Sequence, residues 1–135
     1  MIQYESDYLM KKIYFIFIIF GLILAGCNLK QNYTMQYGFS NEIITESKFE
    51  ETSDGFKLKI PFADFGCEIK KTKAVLERKE KTFTITIFDN QAAKRCSEKF
   101  FAEVTGIPKG EYWLKVIYLK ETGQQEVFSQ VLVID

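Results

Sequence analysis

Tyr112-Trp-Leu-Lys-Val-Ile-Tyr-Leu119 and Val127-Phe-Ser-Gln-Val-Leu-Val-Ile134, joined through Glu121-Thr-Gly-Gln-Gln125, decide the fold class of this chain. The first segment is apolar on both faces apart from Lys115, the pattern of a central strand covered on both sides. A glycine-containing turn and a second β-branched run follow, so the pair reads as a hairpin closing the domain. Upstream the same period of two recurs. Phe56, Leu58, Ile60 and Phe62 alternate with Lys57, Lys59 and Pro61, a half-buried strand that the proline assigns to an edge or a strand end. Phe83, Ile85 and Ile87 alternate with threonines in Thr82–Phe88, and both residue classes favour strands. Residues 69–80 are ambiguous. Ile69 and Leu76 lie two helical turns apart, but the stripe between them is thin. A strand over Ala74–Glu77, turning through Arg78–Lys81, is the better reading. Residues 91–99 (QAAKRCSEK) fit one helical turn in a crossover. Short strands with turns every 8–12 residues predict an all-β fold, a small two-sheet antiparallel β-sandwich over residues 42–135.

The N-terminus carries a different signal. Lys11 and Lys12 precede an uncharged apolar run, Ile13 to Ala25, that ends in small residues. Those are the parts of a secretory signal peptide, and the run is short for a spanning helix, which needs about 20 apolar residues. Leu24-Ala25-Gly26-Cys27 resembles the lipobox of bacterial lipoproteins. The resemblance implies a signal helix over 1–26 that is removed, lipid on Cys27, and anchorage to the cell membrane or outer membrane with the domain in the periplasm or at the cell surface. More than one acyl chain gives stable anchoring. Asn28 is not the aspartate that resembles an inner-membrane retention signal, which favours the outer membrane under that sorting scheme. Glu5 and Asp7 fit a positively charged leader poorly, so translation is expected to start at Met10. Residues 27–41 are polar and read as a lipidated tether.

With Cys27 given to lipid, Cys67 and Cys96 remain in an oxidising compartment. An even pair there reads as a disulfide, with two free buried thiols as the alternative. The passage Gly106–Tyr118 resembles the late hairpin of immunoglobulin-like and fibronectin type III-like domains, with Gly110 and Tyr112 in the matching turn positions. Trp113 does not lie between Cys67 and Cys96, so the resemblance does not extend to an antibody-like core.

The chain has 18 Lys+Arg and 18 Asp+Glu, which gives no overall charge for nucleic acid. Residues 42–54 lean acidic and 70–81 basic, either as solvated or complementary faces or as a basic patch for lipid headgroups or an acidic partner. No histidine is present, no G-x-S-x-G elbow and no phosphate-cradling glycine loop. Asp64 and Asp89 are acids of uncertain partnership, and no calcium-loop spacing surrounds Asp89. The expectation is a non-catalytic protein-binding or structural module of the envelope, without cofactor or metal. Its expected binding surface comprises Lys70, Lys71, Lys73, Ile107, Lys109 and Trp113. An exported inhibitor of a protease or lysozyme and a carbohydrate or adhesion module are the rivals. An exposed apolar loop over 104–111 would favour the inhibitor, and a strip of Tyr and Trp on one sheet face would favour the carbohydrate module.

Overall fold

The computed structural model describes residues 32–135; the leader, Cys27, Asn28 and the start at Met10 lie outside the described residues. Eight strands follow in order: β1 Thr34–Ser40, β2 Lys48–Thr52, β3 Gly55–Gly66, β4 Lys73–Lys79, β5 Thr82–Phe88, β6 Arg95–Thr105, β7 Gly110–Lys120 and β8 Gly123–Ile134. They form two four-stranded sheets. Sheet I has the order β1-β6-β3-β2 and sheet II the order β4-β5-β7-β8. The all-β sandwich is the fold that the period-two pattern predicts. All pairs are antiparallel except β5–β7, which run parallel because β6, between them in sequence, lies in the other sheet.

The alternation read in the sequence sorts the core. Phe56, Leu58, Ile60 and Phe62 of β3 meet Phe100, Ala102 and Val104 of β6, and across the gap lie Phe83, Ile85, Ile87, Tyr112, Leu114 and Val116, all buried. At about 25 cal/mol per Å² of apolar surface removed from water, this two-faced interior is the main favourable contribution to folding. Tyr118 of β7 is also buried, and its hydroxyl donates to the Pro61 carbonyl of sheet I at 2.5 Å. Burial drives the Tyr118 hydroxyl well above its ordinary range, since a phenolate there would lose its water.

Four local expectations need correction. Pro61 sits within an inner strand, not at an edge; but β2 pairs with β3 only as far as Lys59, so the missing N–H breaks no ladder on that side. Residues 91–99 form no helical turn, and β6 begins at Arg95. The tether of 27–41 is shorter than expected, since Thr34–Ser40 is a strand on the free edge of β6. Its apolar alternation, Met35, Tyr37 and Phe39, was masked by polar neighbours and Gly38. A side chain at Gly38 would meet the far end of the Phe101 ring, 2.6 Å from a Cβ position, and the exposed ring would have to shift. Finally, Ile69–Lys71 is a single 3₁₀ turn, and the strand that follows extends beyond Ala74–Glu77 to Lys73–Lys79.

Candidate functional site

The expected binding surface divides. Ile107 is only 3% exposed and belongs to the core, its N–H bonded to the Asp54 carbonyl, so it presents nothing to a partner. Lys70 and Lys71 lie on the 3₁₀ turn, where Lys71 pairs with Glu68 at 2.7 Å. That hydrogen bond and charge hold the Lys71 ammonium above the usual lysine range. Lys73 opens β4 opposite Phe88, whereas Trp113 lies opposite Thr82, which pairs with Lys79 at the other end of β4. Six strand steps, about 20 Å, separate the two levels. Lys109 belongs with Trp113, and the three lysines at 70–73 belong to the opposite end. Spacing in sequence gave no sign of this because β4 runs the full height of sheet II.

The end that holds Lys70–Lys73 is a polar clasp around the disulfide. Cys67 and Cys96 are bonded, with their Cα atoms 5.2 Å apart. Asp64, the bulged residue of β3, adopts φ 55°, a left-handed conformation that aspartate tolerates. Arg95 donates to the Asp64 carboxylate at 3.1 Å, the Asp64 carbonyl at 2.5 Å and the Asp89 carboxylate at 3.0 Å. The Gly66 N–H donates to the other Asp89 oxygen at 2.7 Å. Burial disfavours the charged form of Asp89, but the Gly66 and Arg95 bonds outweigh it and hold the carboxyl below the usual range. Arg95 is correspondingly held above its ordinary value, first by its bond to Asp64. Asn90 donates to the Gly66 carbonyl at 2.5 Å and to Thr72 at 2.7 Å. Asp64 and Asp89 therefore converge, but on a guanidinium that keeps Asp89 ionised; a general acid needs the opposite shift. Among the described residues, no three His, Cys, Asp or Glu side chains gather as metal ligands.

On the outer face of sheet I, pairing places charged residues that are far apart in sequence side by side. One row runs Lys48, Lys59, Phe101 and Gly38; the next runs Glu50, Lys57, Glu103 and Gln36. The second row alternates in sign. The first sets two lysines directly opposite each other, which is unfavourable in an empty sheet. Glu42, bonded to Lys99, relieves part of that repulsion. The Lys99 hydrogen bond, then its charge, and more weakly those of Lys59 and Lys48, hold Glu42 below its usual range. Two shallow depressions of about 410 and 460 Å³ lie along these rows. Phe101, 41% exposed, lines the second of them. Sequence reading assigned Lys57 and Lys59 to a solvent face but had no means of pairing them with Lys48 or Phe101.

The outer face of sheet II carries a threonine row, Thr82, Thr84 and Thr86, between Lys79, Glu77 and Val75 on one side and Trp113, Lys115 and Ile117 on the other. Trp113 is 40% exposed beside Val131, and Val133 lies on the same face. Among the described residues, no further sheet covers either Phe101 or Trp113. What fold and surface define, over the described residues, is a class: a disulfide-linked, eight-stranded mixed β-sandwich with charged residues on both outer faces and a threonine row on one. No family model, no curated protein and no solved structure matches the chain.

Proposed function

We propose that this chain is a lipid-anchored lipoprotein of the bacterial envelope whose sandwich binds a macromolecular partner and catalyses nothing. The observation that carries the reading is Leu24-Ala25-Gly26-Cys27 placed shortly before the first strand of a disulfide-linked sandwich. From Cys27 to Thr34 the chain spans at most roughly 25 Å when extended. A domain held that close meets envelope partners at a raised effective concentration. The outer face of sheet I is the partner surface in this reading. Its opposed Lys48 and Lys59 favour an acidic protein surface, and exposed Phe101 supplies an aromatic anchor on a rigid sheet.

The rival readings lack the features that would favour them. Ile107 is buried, so the 106–109 loop offers no apolar plug to an enzyme's cleft. Among the described residues, Trp113 has Val131 and Thr82 beside it and no tyrosine strip on that face for sugar stacking.

Two measurements test the proposal. Mass spectrometry of the membrane fraction should find an acylated N-terminal peptide beginning at Cys27, and Cys27→Ser should leave the precursor uncleaved. An intact peptide across Gly26–Cys27 from most of the protein refutes the anchor. A photocrosslinker at Phe101 in native envelopes should trap one discrete partner that a crosslinker at Thr84 does not, and Lys48→Glu with Lys59→Glu should abolish the trap. Equal trapping from both faces refutes the assigned surface.

A further inference from the structure

Among the described residues the sandwich has four open strand edges, β1 and β2 on sheet I and β4 and β8 on sheet II. An edge strand presents unpaired N–H and C=O groups to any chain that can add to it, and charge, shortness and bulges are the usual protections. Three of the four edges carry them. β2 is five residues long and holds Lys48, Glu50 and Glu51. β4 holds Lys73, Glu77, Arg78 and Lys79. β8 holds Glu126, its register shifts beside Val116 and Ile117, and the Glu51 carboxylate occupies its Val133 N–H at 3.1 Å. β1 has no such protection. Thr34-Met-Gln-Tyr-Gly-Phe-Ser40 holds no charge and no proline, and its register with β6 runs unbroken from Thr34 opposite Thr105 to Ser40 opposite Lys99. Met35, Tyr37 and Phe39 point inward, yet the Tyr37 ring, packed against Phe39 and Phe100, is left 39% exposed.

The strand is also complementary to itself. Laid antiparallel on a second copy with Tyr37 opposite Tyr37, it sets Met35 opposite Phe39, Gln36 opposite Gly38 and Thr34 opposite Ser40. Apolar residues then meet on the inner face and hydroxyls meet on the outer face, both favourable as cross-strand pairs. A slip of one residue would turn the inner face of one copy towards the outer side of the other, so the pattern fixes the register. β1 offers no charge by which an acidic or basic strand could be chosen, whereas its chemistry reads alike in both directions from Tyr37. That symmetry is what selects a second copy as the occupant. The two strands are related by a two-fold axis perpendicular to sheet I, so the contact is isologous and closes at two copies.

We propose that β1 pairs antiparallel with β1 of a second copy about Tyr37, joining the two copies of sheet I into one sheet of eight strands. The inference goes beyond the envelope reading. Seven strand residues are few beside the roughly 20–30 that each side of a standard interface contributes, so the dimer is weak in dilute solution. Anchors on Cys27 strengthen it by raising the local concentration of copies. With the two-fold axis along the membrane normal, both Thr34 ends lie at one height, so two anchored copies can pair without either leaving the bilayer.

The test uses two full-length copies with different C-terminal tags, co-expressed, each with a benzoylphenylalanine photocrosslinker in place of Tyr37. Irradiation of whole cells should give a product of twice the monomer mass that carries both tags, with the crosslink mapping to residues 35–39 of the other copy. The same crosslinker in place of Glu50, on the far edge of sheet I, should give none. Thr34→Lys with Ser40→Lys sets lysine opposite lysine twice across the two-fold, and Thr34→Glu with Ser40→Glu sets acid opposite acid. Each double variant alone should lose the two-tag product about tenfold, and co-expressing one with the other should restore it. Where a double variant does not accumulate, the map of the Tyr37 crosslink decides the register by itself. Crosslinks from Tyr37 to residues 28–31 of the same chain, or to an unrelated protein, name a different occupant and overturn the proposal. Absence of the two-tag product, or equal amounts of it from Tyr37 and Glu50, does the same.

Discussion

At the disulfide end, Tyr118 sends its hydroxyl across the gap to Pro61 in the other sheet; at the Pro108 end, Tyr112 sends its hydroxyl only to Pro108, four residues back in its own segment. The same contrast runs through the rest of the two ends. Cys67–Cys96 and the bonds of Arg95 to Asp64 and Asp89 tie β3, β6 and the end of β5 together, whereas Tyr33, Phe83 and Tyr112 hold the Pro108 end by ring contacts. Where polar groups are used up in mutual bonds, they confer fixity and leave little to offer. At the Pro108 end the polar bonds go to backbone instead: Asp54 and Glu51 side chains accept the Gly106 and Val133 N–H groups, and the Lys81 carbonyl accepts the Trp113 N–H.

The largest test of this contrast is removal of the disulfide. Cys67→Ala with Cys96→Ala frees a loop of sequence separation 29. It should lower the unfolding free energy by about 3–4 kcal/mol, read from urea melts of the oxidised and substituted proteins. A loss below about 1 kcal/mol would mean the ends are fastened alike. Next comes Arg95→Ala, which leaves the Asp89 carboxylate, 6% exposed, without its cation. The expected loss is about 1–2 kcal/mol, discounted because Arg95 is partly open to water.

The same site sets an acid limb. The Asp89 carboxyl is held below the ordinary aspartate range in the folded protein, so its contribution is present above that range and is lost as pH falls through the depressed value. Asp89→Asn should flatten the fall in stability below about pH 4 relative to the unchanged protein. An unaltered acid limb would show that the ion pair does not brace this end. The tyrosines sharpen the comparison further. Tyr118→Phe should cost about 1 kcal/mol and Tyr112→Phe about half as much, since only the first joins two sheets. The smallest effect belongs to Lys79→Glu with Lys109→Glu, which should leave the unfolding free energy from urea melts within about 0.5 kcal/mol of the original.

The sandwich was legible because its inner strands alternate strictly: Phe56 to Phe62 and Phe83 to Ile87 announce both face and strand. β1 was hidden because an edge strand buries less, and Tyr37 remains 39% exposed even though it points inward. The candidate surfaces were less legible for a different reason. A lysine reads the same wherever it stands, and only cross-strand register sets Lys48 opposite Lys59 or moves Lys73 away from Trp113. Ile107 misled because a turn residue flanked by glycine and proline looks exposed, while here it plugs the end of the core.

The parallel neighbours β5 and β7 have a consequence for how the molecule assembles. The hairpins β2–β3, β4–β5 and β7–β8 close over short turns, so each can form early and locally. Sheet II cannot be completed by them alone: β5 meets β7 only after the chain has crossed to sheet I as β6 and returned. Loop-closure entropy must therefore be met before this pairing gives any return, which puts the chain among slow-folding, high-contact-order topologies. Until that closure, the apolar edges of both hairpins stay open, and the interval between synthesis and β5–β7 contact is when the chain is most exposed to aggregation.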